Sequence, residues 1–303
     1  MTSADTTRDG SRLLPGALDD FAASQTGHAL QQVALHLEEG DGRTIVSGRV
    51  LTARQARAVA ELARAHGADV DLRVAADPDS GLEEGWSEIA VGLLDLWRTP
   101  ERAGEEMGRQ TQYLAADGPL RRLGAIGAWA LVQGPDLAMG WAARADLRDL
   151  PEGGGASWKD IPRPVEGAAR EAQPQGVGAQ AVIDGARAEL DVPYVWGGTT
   201  HAGFDCSGLL QRVVREVAGV LLPRHTRDQR RVGLRVVAGG VAAGDLLFAT
   251  PRGQKVGHVV LMTSDATVLH ACRTQRRVIE ESLEDNGRRY QHQGWRRPVL
   301  LGG

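Results

Sequence analysis

Between residues 151 and 177 the chain becomes poor in large apolar side chains and rich in breaks: Pro151, Gly153-Gly154-Gly155, Pro162, Pro164, Pro174 and Gly176. Such a stretch cannot bury enough surface to hold a fold, so it reads as a linker with a separate core on each side. The 303 residues suffice for two or three domains, and 42% hydrophobic against 24% charged residues sets aside disorder or a collagen-like repeat. Charge divides near the same place. Residues 179–303 hold 17 Lys and Arg against 12 Asp and Glu, a net +5, which leaves −9 for the rest of a chain whose total is −4. Opposite signs favour docking of the two parts, and the near-neutral total gives no reason to expect nucleic acid as a partner.

Residues 1–27 are polar without sustained periodicity, a loose arm with one short helix. Thr44 to Val50 reads as a strand. Thr52 and Gln55 form a capping box before Ala56, Val59, Ala60 and Ala63, which share one helical face, and Gly67 stands where the helix should end. Val70, Leu72 and Val74 then alternate as a second strand, giving residues 1–85 an arm and a small β-α-β unit. From 86 to 150, short apolar runs at close spacing (Ile89 to Trp97, Tyr113-Leu114, Leu120 to Leu123, Trp129 to Val132, Gly140-Trp141) predict a compact barrel of short strands with Trp97, Trp129 and Trp141 in its core.

Residues 178–303 hold the chemistry. Leu209, Leu210, Val213, Val214 and Val217 make an amphipathic stripe that Gly219 closes, and Asp205 is the natural N-cap. Cys206 therefore sits in the first helical turn, where the partial positive charge of a helix N-terminus favours a thiolate. Two strand-like runs around His258 and His270, joined near Ser264-Asp265, predict an antiparallel hairpin. A turn centred on Asp265 sets Val260 opposite His270 with His258 diagonal to it; one centred on Ser264 sets the two histidines opposite each other. Centring between these residues separates them to opposite faces. With the imidazoles together, His258 takes the thiol proton, His270 orients the His258 ring, and amides at the helix start bind the oxyanion. Two cysteines, Cys206 and Cys272, make no disulfide framework, and this chemistry requires no metal and no cofactor.

The linked set Tyr194-x-Trp196-Gly197-Gly198, Phe204-Asp205-Cys206-Ser207-Gly208, Leu222-Pro223-Arg224 with Gln229, Gly244-Asp245-Leu246-Leu247-Phe248, Gly257-His258-Val259 and His270-Ala271 resembles the NlpC/p60 family of papain-like cysteine peptidases over about residues 178–300. The run of Trp97-Arg98-Thr99-Pro100, Gly127-Ala128-Trp129-Ala130-Leu131-Val132 and Gly140-Trp141 resembles a bacterial SH3-like (SH3b) domain. Together these resemblances imply an α+β protein with a papain-like domain behind an SH3-like barrel. They imply Cys206, His258 and His270 as triad, Tyr194 beside the nucleophile, Asp205 facing the substrate and holding its amine, and Trp196 and Ser207 in the substrate site.

The implied activity is cleavage of the γ-D-glutamyl–L-diamino acid amide in murein peptides with a free N-terminal L-Ala, as in wall-peptide recycling. Asp95, Glu101 and Glu105 are candidates to meet that amine. Alternatives are acyl transfer through the same triad, or a shell that only binds wall peptides. The Gly that often follows the family's His-Val is replaced by Val260, and Cys272 reads as a core residue. The opening residues lack a basic segment followed by an apolar run, and no stretch has the length of a membrane span, so the expected location is the cytoplasm.

Overall fold

A computed structural model of the chain describes residues 14–18, 20–21, 34–40, 43–76, 85–151, 153–155, 161, 178–253 and 257–298. Most of the N-terminal arm and of the stretch read as a linker lies outside the described residues. Among the described residues, no helix is long and apolar enough to cross a membrane.

Among the described residues, the N-terminal unit is a three-stranded sheet with a crossover helix, and helical residues 14–18 add Leu14 and Leu18 to the same core. Ala34–Gly40 pairs antiparallel with Arg43–Thr52, the helix Ala53–Ala65 crosses over, and Asp69–Ala76 returns parallel to Arg43–Thr52. Val59 and Ala63 are buried on Val46 and Val50, and Gly67 ends the helical region at φ +72°. The leading strand is additional to the predicted β-α-β unit. Its Leu35 is partly buried but Leu37 is exposed, so it lacks the clean alternation that marks a half-buried strand.

Seven short strands form the front sheet, in the spatial order Leu147–Leu150, Gly85–Ile89, Leu120–Ile126, Trp129–Gln133, Met139–Ala143, Leu93–Trp97 and Arg109–Leu114. The run Ile89 to Trp97, read from sequence as one strand, is broken at Ala90–Gly92 and serves two strands. Trp141 is fully buried and Trp129 packs on its cluster, while Trp97 is half-buried with the Arg109 guanidinium 5.4 Å from its ring centroid.

The third unit is a six-stranded antiparallel sheet ordered Leu234–Val236, Tyr290–Arg297, Leu246–Pro251, His258–Met262, Thr267–Cys272 and Arg277–Ser282. The helix Cys206–Ala218 lays its predicted stripe on it: Leu209, Leu210, Val213 and Val214 are buried with Val259, Leu261 and Leu269. Gly219 takes the left-handed conformation at φ 67° and its N–H reaches Arg215 O, as a helix C-cap should. Helices packed on antiparallel sheets make this an α+β arrangement.

The front sheet docks on the back of this helix through charge. Asp117, buried, takes both Arg212 guanidinium nitrogens at 3.0 and 2.9 Å and Arg215 Nη1 at 2.7 Å. Asp136 accepts from Gln211 Nε2 at 3.0 Å and from the Tyr113 hydroxyl. The acidic partners lie on the front sheet and the basic ones on the helix, which is the sense of the charge division along the chain.

Candidate active site

Cys206 is the first residue of its helix. Asp205 caps that helix, its Oδ1 accepting from Gly208 N at 2.7 Å. The short spacing of Asp205-Cys206-Ser207-Gly208 has a steric reason: a Cβ on Gly208 would lie 2.0 Å from Gly198 O, so only glycine lets the preceding loop close over the helix start. The sulfur lies 3.8 Å from Thr226 Oγ1 and also meets the backbone N–H of Val259, the neighbour of His258.

Facing the helix, the pairs Leu261↔Leu269 and Met262↔Val268 centre the hairpin on Asp265, so Val260 stands opposite His270 and His258 is its diagonal neighbour. His258 Nε2 and His270 Nδ1 are 2.8 Å apart, and His270 Nε2 is 2.9 Å from Glu281 Oε1. The Asn286 amide and the Arg289 guanidinium also donate to Glu281. Burial alone would raise the Glu281 carboxyl, but hydrogen bonds from His270, Arg289 and Asn286 pull it down to about 2. Burial lowers His258 well below the usual imidazole range, with His270 adding to the effect; burial likewise lowers His270 against the pull of Glu281.

These states assign the protons. An ionised carboxylate only accepts, so His270 Nε2 must donate to Glu281. A neutral His270 then has a bare Nδ1, which accepts from His258 Nε2–H. A neutral His258 is left with its lone pair on Nδ1. Tyr290 fixes the ring from the side, stacked on His258 at 4.4 Å between centroids and 12° between planes.

The thiol departs from expectation. Burial pushes Cys206 up to about 11, the adjacent Asp205 carboxylate adds to the rise, and the Val259 amide, the Thr226 hydroxyl and Arg224 offset only part of it. In the folded core the loss of hydration outweighs the favourable helix terminus. All three shifts run toward the uncharged forms, thiol and neutral imidazoles.

Cys206 and His258 open on one cavity of about 610 Å³, which Tyr194, Trp196, Asp205 and Ser207 also line. Asp205 is already committed: Gly208 N, Ser207 Oγ and Arg224 Nη1 reach Oδ1, while Gly197 N and Arg224 Nη2 reach Oδ2. These five donors tie the Asp205 carboxylate to the helix start and to Arg224, at the wall of the cavity. Ser207 Oγ likewise donates to Asp205 and accepts from Arg224 Nη1 at 2.9 Å. The front sheet presents Arg98, Met107 and Gln110 to the cavity; Asp95, Glu101 and Glu105 are not among its lining residues. Asp95 is instead held by Arg109 and Gln112, and Glu105 by Arg102. Cys272 is fully buried and free, its sulfur 4.0 Å from Tyr290 Oη.

Sequence reasoning missed Glu281 and Tyr290. Glu281 lies opposite Val268, making it the diagonal neighbour of His270 on the Arg277–Ser282 strand. The available signal is the turn after Cys272 followed by Val278-Ile279-Glu280-Glu281, a third strand whose acids can meet a histidine two residues from the pairing position. His225 lines the cavity with its Nε2 2.7 Å from Gln110 Nε2, whereas His201 is an exposed bridge between Glu189 and Glu216.

The thiol at the helix start shares its cavity with His258, which His270 backs on the facing sheet, an arrangement that suits a thiol nucleophile with an imidazole base. Residues 191–297 match the NlpC/P60 family, and the chain carries a domain of that family. A gamma-D-glutamyl-L-lysine dipeptidyl-peptidase of Bacillus cereus is 32% identical over 143 residues, 46% of this chain and 39% of that protein. A gamma-DL-glutamyl hydrolase of Bacillus subtilis is 32% identical over 121 residues, 39% of this chain and 29% of that one. The chain thus spans well under half the length of these two relatives. A solved NlpC/P60 family protein from Bacillus cereus aligns at 23% identity and TM-score 0.39, over 71% of this chain and 64% of the other.

Proposed function

We propose that this chain is a cysteine endopeptidase that hydrolyses the γ-D-glutamyl–L-diamino acid amide of murein peptides. The observation that carries the reading is the hydrogen-bonded line from Glu281 through His270 to His258, which leaves His258 Nδ1 basic in the cavity that holds the Cys206 thiol. Supporting it are the NlpC/P60 match and relatives named for γ-glutamyl hydrolysis. We read the seven-stranded front sheet as the SH3-like unit that closes one end of the cavity.

The chemistry follows from the resting state. As Cys206 Sγ attacks the γ-carbonyl carbon, its proton passes to His258 Nδ1, and the resulting imidazolium is steadied by the His270 bond and the Glu281 charge behind it. The carbonyl oxygen becomes an oxyanion at the free amides of the first helical turn, including that of Cys206. Imidazolium returns the proton to the departing nitrogen, the C–N bond breaks and a thioester remains. Water, deprotonated by the same Nδ1, then attacks the thioester and releases the glutamyl γ-carboxyl and the thiol. Arg224 positions this machinery: 1% exposed, it ties the Asp205 cap to Thr111 of the front sheet.

The test is mass spectrometry of products after incubating wild type and Cys206→Ala with L-Ala-γ-D-Glu-diaminopimelate and its N-acetylated form. Release of the glutamyl fragment by wild type alone supports the reading, and cleavage of the acetylated peptide too removes any need for a free amine. No cleavage of either by folded, reduced wild type overturns it.

A further inference from the structure

The cavity is unusually one-sided in charge. Its described lining holds five arginines, Arg98, Arg224, Arg227, Arg230 and Arg273, against one carboxylate, Asp205, which Arg224 already occupies. The remaining arginines form two groups. Arg98, from the front sheet, and Arg273, from the turn after the His270 strand, both lie over Trp196, with guanidinium carbons 5.6 and 5.5 Å from the ring centroid. Arg227 and Arg230 follow Thr226, the residue whose hydroxyl is 3.8 Å from the nucleophile. Arg230 is held by Gln293 Oε1 at 2.6 Å, and among the described residues neither Arg230 nor Arg273 forms an ion pair.

Positive charge therefore reaches the nucleophile's cavity from two separate elements. Like charges brought together in a cleft repel one another and focus a field that an anion relieves. A glutamate linked through its γ-carboxyl keeps its α-carboxylate, so it supplies one negative charge beside the scissile carbonyl. The residue on the departing side decides the rest. Lysine brings an uncompensated ammonium, diaminopimelate offsets its distal amine with a second carboxylate, and glutamate brings negative charge alone.

We propose that this groove selects γ-glutamyl peptides by the charge of the departing residue, accepting diaminopimelyl or glutamyl residues and rejecting lysyl ones. The proposal deepens the peptidase reading and rests on it, but the preference is also readable in binding without turnover. Two sources share the required chemistry, diaminopimelate-type wall peptides and γ-linked glutamate oligomers, and the peptide series separates them.

The experiment uses L-Ala-γ-D-Glu-X with X as L-Lys, meso-diaminopimelate or γ-linked Glu. Binding is read by calorimetry on full-length Cys206→Ala and cleavage as kcat/KM on wild type. Diaminopimelyl or glutamyl peptides should exceed the lysyl peptide by about 10-fold at low salt, with the ratio shrinking as salt rises to about 0.5 M. Arg230→Gln and Arg273→Gln, both exposed positions, should each narrow the ratio by about 3-fold, through KM and not kcat. The better of the two anionic peptides identifies the source. Equal binding of all three, unchanged by salt or by either arginine variant, overturns the proposal. A charge preference in binding with no cleavage leaves the proposal standing and removes the peptidase reading instead.

Discussion

Asp117 and Glu281 are both carboxylates held by arginine on the two sides of the same helix-and-sheet unit, yet they do different work. Asp117 is buried between the front sheet and the helix Cys206–Ala218 and accepts from Arg212, Arg215 and the Leu114 backbone N–H. Guanidinium and peptide N–H groups are fixed donors, so the cluster is a clamp. Glu281 has two fixed partners, Arg289 and Asn286, and one titratable partner, His270. The titratable partner makes it directional: it chooses which imidazole nitrogen carries hydrogen, and the choice propagates to His258. The same pair of functional groups stabilises a fold or prepares a base according to what stands next to the carboxylate.

The difference can be broken experimentally. The largest effect belongs to the base that Glu281 serves: His258→Ala should lower kcat/KM by about 10⁴-fold with the fold retained, read by steady-state kinetics and circular dichroism. Asp117→Ala comes next and should act on stability. It strands two guanidinium groups, one of them 9% exposed, and should cost about 3–5 kcal/mol in urea unfolding, while the folded enzyme's kcat stays within about 3-fold. A large fall in kcat with stability unchanged would make Asp117 part of the chemistry and erase the contrast.

Glu281→Ala should do the reverse, lowering kcat by about 10–100-fold with KM little changed, and Glu281→Asp should recover part of the loss. Its pH profile carries a sign. Burial already depresses His258 and His270, and Glu281 is the group that pulls them back up. Removing it lowers both further, so the acid limb of kcat/KM, which needs neutral imidazole, should move to lower pH as the plateau falls. An acid limb moving to higher pH contradicts the assignment. The smallest effect is Cys272→Ala, whose sulfur meets the imidazoles at one remove, through the Tyr290 hydroxyl; it should leave kcat/KM within about 2-fold, at a small stability cost.

What the sequence disclosed, and what it hid, follows the range of the interactions. The nucleophile helix was legible because its stripe, the Asp205 cap and Gly219 are local signals within fourteen residues. The hairpin was legible as a hairpin but not in register, since the centre of its turn is fixed by bonds no pattern announces: Ser264 Oγ takes the amides of Ala266 and Thr267, which sets Asp265 at the tip. Glu281 and Tyr290 arrive on later strands, so their contact with the imidazoles exists only once the sheet is assembled. The ties of Asp205 were hidden for the same reason, because Arg224 arrives from the loop after the helix. The burial that pushes the thiol up was hidden too, because a helix terminus is visible in sequence while burial is not.

The central claim is that Glu281 acts on the base chiefly through its hydrogen bond to His270. A double-mutant cycle on kcat/KM tests it with His270→Ala, Glu281→Ala and the combined variant. The account predicts that the combined variant falls within about 2-fold of His270→Ala alone, because the second loss has nothing left to act through. Losses that multiply would show that Glu281 reaches the reaction by another route and would contradict the relay.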